Sequence, residues 1–381
     1  VCQWPPFQQT CLRVPEWHLR LYKAVALIRL GQREEAVAIL KELDEAVSTQ
    51  VDQIKRQKGV VPESVTLLLA LIYHYQGYVH RLTLDYYLAI EFYRKVIALF
   101  EQLQVGMLIS EYEHFIYAMA QVGYFRRGRQ AFYDALDLVK QQGTPHWEMR
   151  LQNVMMALET LDGHPLEAEE YGKQALAKLQ QAPNPRWESL VCVNLARTYR
   201  NLWNRSVSLR EWRAKWPETL KKAYELLETQ GPGAILNIDS MQEKSECPAG
   251  ALGWLREQAQ QDKDEIYYVE ALVEGGCIER EMAWLYQRYE KDLGGESSLQ
   301  APGLKSTDWS EWAPICKDAP GRAEAYFFEA AGLSKYLTDW RATHTLPEPT
   351  RQAWKQAIEA QIQHLGGGRY WPVLALVNLG W

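Results

Sequence analysis

The stretch "LIRLGQREEAVAILKEL" (27–43) decides the fold. An apolar run closes on Gly31, a small residue (Ala36) stands five places further on, and an apolar one (Leu43) stands twelve places on. The order recurs in "AQVGYFRRGRQAFYDAL" (120–136), with Gly123, Gly128 and Ala135. It recurs again in "LETLDGHPLEAEEYGKQAL" (158–176), with Gly163, Ala168 and Ala175. A glycine can end a helix in the left-handed conformation that other residues resist. The small residue then opens a second helix where two backbones cross closely, and the residue seven further on lies two turns along the same stripe. Each copy is therefore a helical hairpin, with a first helix A and a second helix B.

Two further copies are degenerate. Gly77, Ala89, Tyr93 and Val96 keep the second half of the pattern, and "YVHRLTLDYYL" (78–88) lengthens that hairpin. In "VNLARTYRNLW" (193–203) Trp203 replaces the glycine. The marker positions 31, 77, 123, 163 and 203 fall 46, 46, 40 and 40 residues apart. A near-constant interval of this size marks a repeat array in which each unit buries its apolar face on its neighbour.

"TPHWEM" (144–149) and "NPRWES" (184–189) punctuate the array, with a looser echo in "VPEWHL" (14–19). Thr144 and Asn184 suit the N-cap, and Pro145 and Pro185 suit the first helical position, where a missing N–H costs nothing. Trp147 and Trp187 then fall in the first turn of helix A, placed to wedge against the preceding hairpin.

The order apolar helix, glycine, "EEA", apolar helix resembles the tetratricopeptide repeat, most closely in "LYKAVALIRLGQREEAVAILKEL" (21–43). The resemblance covers about 15–230 in five copies and departs from the family in period, 40–46 residues against a usual 34. Long repeats of this kind are similar to the sensor regions of signal-transduction ATPases and of maltotriose-activator-like transcription regulators. The implied fold class is all-α: a right-handed α-α superhelix with an irregular helical C-terminal part. Residues 1–14 form an N-terminal extension, 15–230 the five hairpins, and 231–381 degenerate repeats or a helical cap.

In that last part "ETQGPGAILNIDS" (228–240) reads as a break, and 264–293 as a long helix interrupted at Gly275–Gly276. "GGESSLQAPGLKSTDWSEWAPICKDAPG" (294–321) reads as a long loop, followed by helices over about 320–341, 348–365 and 370–380. Twelve of the fifteen tryptophans lie from 187 onward, which predicts a bulkier, less regular core there. The chain begins with Val and stops in a helical pattern, "LALVNLGW", as a piece of a longer protein would.

Hydrophobic residues at 47% and charged residues at 24% place the chain among folded globular proteins. A net charge of −6 without a basic block argues against nucleic acid. The longest apolar stretch, near 65–73, is about half of what a membrane span needs. Cysteines at 2, 11, 192, 247, 277 and 316 form no C-x-x-C pair, so reduced thiols in a cytoplasmic protein are expected. Cys2 and Cys11 are close enough in sequence to bridge in an oxidising setting.

None of the phosphate-cradle, zinc-metalloprotease (H-E-x-x-H) or nucleophile-elbow spacings occurs, and "HLGGGRY" (364–370) has no strand before it. "SEYEHF" (110–115) carries Glu111, Glu113 and His114, which an amphipathic helix spreads over a solvated face. No catalysis, cofactor or metal is expected.

The resemblance implies that A helices line a concave groove. Counting back from each marker gives His74; Glu113, Tyr117 and Gln121; Arg150 and Asn153; and Asn194, Arg197, Arg200 and Asn201 as inward-facing. Arginine offers a forked donor set for carboxylates, and asparagine can hold a peptide backbone. The expected function is a non-catalytic recognition module for a partner protein or peptide, including one with an acidic or C-terminal carboxylate group, or for other domains of the same longer chain. The alternative is a small-molecule or effector sensor domain of a larger ATPase or transcription regulator.

Overall fold

The computed structural model describes residues 5–343 apart from 58, 104–107, 143–144, 209–215, 231, 233–244, 248–249, 262–264, 293–305 and 333, together with 352 and 356. Among them there is no β-strand, and the helices pack in sequential pairs, consistent with a helical repeat. The five hairpins are α1 (Pro5–Arg29) with α2 (Arg33–Arg56), α3 (Glu63–Leu82) with α4 (Tyr86–Leu103), α5 (Leu108–Gln121) with α6 (Phe125–Gln142), α7 (Pro145–Asp162) with α8 (Pro165–Gln181), and α9 (Pro185–Ser208) with α10 (Trp216–Glu228). Beyond them come α11 (Gly250–Ala259), α12 (Glu265–Asp292), α13 (Ser306–Ala330) and α14 (Leu337–Thr343). The chain divides into two compact units, the first holding Val1–Gln142 and the second Gly143–Ile362.

Four of the five hairpins turn by one device. Gly31, Gly123 and Gly163 have φ of 77°, 78° and 84°, and the following residue bonds back across the helix end: Gln32 N–H to Leu27 at 2.9 Å, Tyr124 N–H to Met119 at 2.9 Å, His164 N–H to Glu159 at 2.8 Å. The third helix does the same with a leucine. Leu84 has φ of 64°, and Asp85 N–H donates to His80 at 2.8 Å. Gly77, which the spacing marked as the turn, lies inside α3 instead, where an added Cβ would stand 2.9 Å from the Tyr93 ring. Counted at the true turns (31, 84, 123, 163) the intervals are 53, 39 and 40 residues. Ala89 and Val96 then fall five and twelve places after Leu84, the same offsets as Ala36 and Leu43 after Gly31, and all four are fully buried.

The stripes follow from these offsets. Ala36, Leu40, Leu43, Val47 and Val51 form one buried face of α2, packed on Leu21, Ala24 and Ile28 of α1 and on Val65, Leu68 and Ile72 of α3. Pro185 starts α9 as expected, with Asn184 Oδ1 accepting from Trp187 N–H at 3.1 Å, and Pro145 starts α7; Thr144 lies outside the described residues. Pro15 sits inside α1, which already begins at Pro5.

Three expectations for the C-terminal part need correction. Gly275 and Gly276 do not interrupt the helix; α12 is continuous over 28 residues. The two glycines admit α13, since a Cβ on Gly276 would stand 2.5 Å from the Phe327 ring. Residues 306–321, read as the second part of a long loop, are the first part of the continuous helix α13, with Pro314 and Pro320 inside it. The helix placed at about 320–341 is two pieces, because Gly332 (φ 70°) stops α13 and a short 3-10 turn at Ser334–Tyr336 leads into α14. The helices expected at 348–365 and 370–380 lie outside the described residues, save 352 and 356. Cys192, Cys247, Cys277 and Cys316 are free and buried.

Candidate binding faces

In the first unit, α3 and α5 meet along a strip of rings and charges. His74 Nδ1 lies 2.9 Å from a carboxylate oxygen of Glu111, whose side chain is 1% exposed. Glu111 is therefore not on the solvated face that the helical pattern suggested. The His74 ring stacks on Tyr78, with centroids 6.4 Å apart, and stands 6.0 Å from the ring of His114. Arg81 carries its guanidinium over both Tyr78 and Tyr117, at 5.2 and 5.6 Å. Of the residues expected here, His74 and Tyr117 share this strip. Glu113 is half-buried on the same helix, and Gln121 is exposed at its end.

In the second unit a single chain of hydrogen bonds joins most of the others. Asn194 Nδ2 donates to Asn153 Oδ1 at 3.0 Å, and Arg197 Nη1 donates to Asn194 Oδ1 at 3.0 Å. Arg197 continues to Glu270 at 2.6 Å and to Glu274 at 3.3 Å, and Arg200 grips Glu274 through both Nε and Nη2. Glu270 and Glu274 stand on α12 of the same chain, which packs on α9. The forked donors assigned from sequence to a partner's carboxylate are thus filled from within. Burial pushes the Glu274 carboxyl up, and the Arg200 and Arg197 guanidiniums beside it more than reverse that, holding it below the usual carboxylate range. Asn201 is half-buried and makes none of these bonds.

Arg150 is held differently. Its guanidinium lies over the rings of both Trp147 and Trp187, at 4.4 and 4.9 Å, and His146 meets the same two rings edge-on. Trp187 therefore packs on the preceding hairpin as its position predicted. Burial, then the charge of Arg150, lowers the His146 pKa.

Glu270 and Glu274 were missed, although an i, i+4 acid pair in the apolar run "YYVEALVEGG" is a readable signal of buried charge in need of a partner. At the α7–α8 turn, ligand atoms of Glu159, Asp162 and His164 lie within 4.8 Å of one another, with Glu159 buried. No protein-family model and no curated protein matches this chain. Among the described residues no helix is long and apolar enough to cross a membrane.

Proposed function

We propose that this chain is a non-catalytic recognition module of tetratricopeptide-like hairpins, and that A helices of its first unit hold a partner protein or peptide in a concave groove. The observation that carries this reading is the half-buried strip of His74, Tyr78, Arg81, His114 and Tyr117 on α3 and α5. Tyrosine and arginine bring large contact area and directional donors at low conformational cost, which is why such side chains dominate binding hot spots. The Arg197–Arg200 strip of the second unit is the lesser candidate, because a partner's carboxylate would have to displace Glu270 and Glu274.

The test is selection of peptides from a random display library on the full chain. Selected peptides should lose at least tenfold in affinity on Tyr117→Ala or His74→Gln, with the melting temperature little changed, since the glutamine amide can still donate to the buried Glu111 carboxylate. Selected peptides that bind both variants as tightly as the parent would remove the groove from the first unit.

A second reading, an effector sensor, draws on the tryptophans of the second unit. Trp203 is buried and donates to Glu281 at 3.2 Å, and its ring meets Trp284 edge-on at 6.2 Å. Trp284 is partly exposed and lines a cleft of about 350 Å³ with Asn204 and Arg280. A metabolite and oligosaccharide panel would distinguish this reading. A true effector raises the melting temperature by mass action and shifts tryptophan emission.

A further inference from the structure

Helices α4, α5 and α6 form an open cleft of about 460 Å³ on the first unit, within the size range of small-molecule sites. Its walls are three stripes at helical spacing, and the antiparallel order of the helices sets them in levels. Arg94 of α4, Met119 of α5 and Arg127 of α6 share one level. Ile97, Phe115 and Ala131 share the next, and Tyr112 and Asp134 the last. The Tyr112 hydroxyl donates to Glu101, one turn beyond Ile97 on α4, at 3.2 Å, which fixes the register. Seven residues along each helix make the cleft about 10 Å long.

The levels differ in charge. The first has two exposed guanidiniums, Arg94 shared with Glu91 at 3.1 Å and Arg127 over the Tyr124 ring at 5.4 Å. The middle level is apolar, and its three side chains are buried. The last is acidic, with Asp134 accepting from Gln130 at 2.9 Å. We propose that this cleft binds an elongated amphipathic anion, its carboxylate or similar head between Arg94 and Arg127 and its apolar body over Ile97, Phe115 and Ala131. Glu101 and Asp134 repel the head from the far end, so the ligand lies in one direction only. The site uses a different stripe of α5 from the strip that includes Tyr117, so the two can be tested apart.

The probe is sodium decanoate, a ten-carbon chain of matching length, titrated calorimetrically into the full chain below its micelle range. Decyltrimethylammonium is the charge-reversed control. Saturable decanoate binding, at least tenfold weaker in the Arg94→Gln/Arg127→Gln double variant and at least tenfold weaker for the cation, is the expected result. Ala131→Trp, which fills the middle level, should abolish binding. Should that variant fail to fold, the double variant decides alone, since both arginines are exposed. No decanoate binding at millimolar concentration, equal binding of anion and cation, or binding unchanged in the double variant would overturn the site.

Discussion

The two units are built from the same kind of helix pair and differ in what they bury. The core of the first around α1–α3 is aliphatic: Leu21, Leu40, Leu43, Val47, Leu68 and Ile72 are each under 3% exposed. The first buries Glu111 against His74, and the second buries more charge, with Glu188, Glu274 and Glu279 each at 5% exposure or less. Burial pushes the carboxyls of Glu188, Glu225, Glu228 and Glu279 upward, and Arg322 answers Glu279 with two bonds of 2.7 and 2.9 Å. An aliphatic core stabilises by area removed from water, whatever the pH. A core of ionisable groups stabilises only while each charge has its partner, so the second unit is the one that single substitutions and pH should expose.

The largest effect is expected at the Arg200–Glu274 pair. Removing one member of a buried ion pair leaves the other charge uncompensated, at a cost of about 3–5 kcal/mol. Arg197 still reaches Glu274 at 3.3 Å, so Arg200→Ala should destabilise the second unit by the lower end of that range, about 3 kcal/mol. Adding Glu274→Leu should restore much of the loss, because an apolar replacement of both partners is often nearly neutral. Denaturant unfolding of the single and double variants checks this. Equal stability of wild type and Arg200→Ala would mean that α12 is not held against α9 by these charges.

Next comes Glu228, whose carboxyl burial raises to about 7. An acid raised in the fold is protonated in both states below its unfolded value near 4.5, ionised in both above 7, and protonated only in the fold between them. Stability is therefore lost as pH climbs through that window, by about 3 kcal/mol once the full shift has been crossed. Glu228→Gln should remove this slope, so the variant gains on wild type between pH 4.5 and 8. Parallel pH profiles for the two proteins would place the carboxyl in contact with water.

The contrast between the units also explains how far the sequence could be read. Turn glycines and their +5 and +12 partners are local signals, so the hairpins turning at 31, 123 and 163 were legible, as was the Asn184–Pro185–Trp187 helix start; the other two markers, Gly77 and Trp203, lie inside α3 and α9. The errors lie where a distant partner decides. The stretch 306–321 read as loop, and Gly275–Gly276 as an interruption, because sequence alone does not show α13 lying against α12. With Phe327 on its surface, Gly276 is where the two helices touch, and packing overrides propensity. Arg197 and Arg200 were read as donors for a partner's carboxylate; that they hold carboxylates 73 or more residues further along the same chain is a tertiary fact. The His74–Glu111 pair was missed for a related reason. A single helix pattern cannot tell a solvated face from one that meets the next A helix.

The smallest effect concerns the misread turn. Leu84 occupies the position that glycine holds in the hairpins at 31, 123 and 163, with the same back-bonds and the same two offsets. A left-handed conformation costs a residue with a Cβ about 1 kcal/mol relative to one without. Glycine also enlarges the conformational freedom of the unfolded chain, which takes back part of the gain. Leu84 is 40% exposed, so its removal forfeits part of its burial, which also subtracts from the gain. Leu84→Gly should therefore raise the stability of the first unit by at most a few tenths of a kcal/mol. Leu84→Ala keeps the strain and should not gain. If both substitutions destabilise alike, the leucine is held for its side-chain contacts, and the equivalence of this turn with the glycine turns is only apparent.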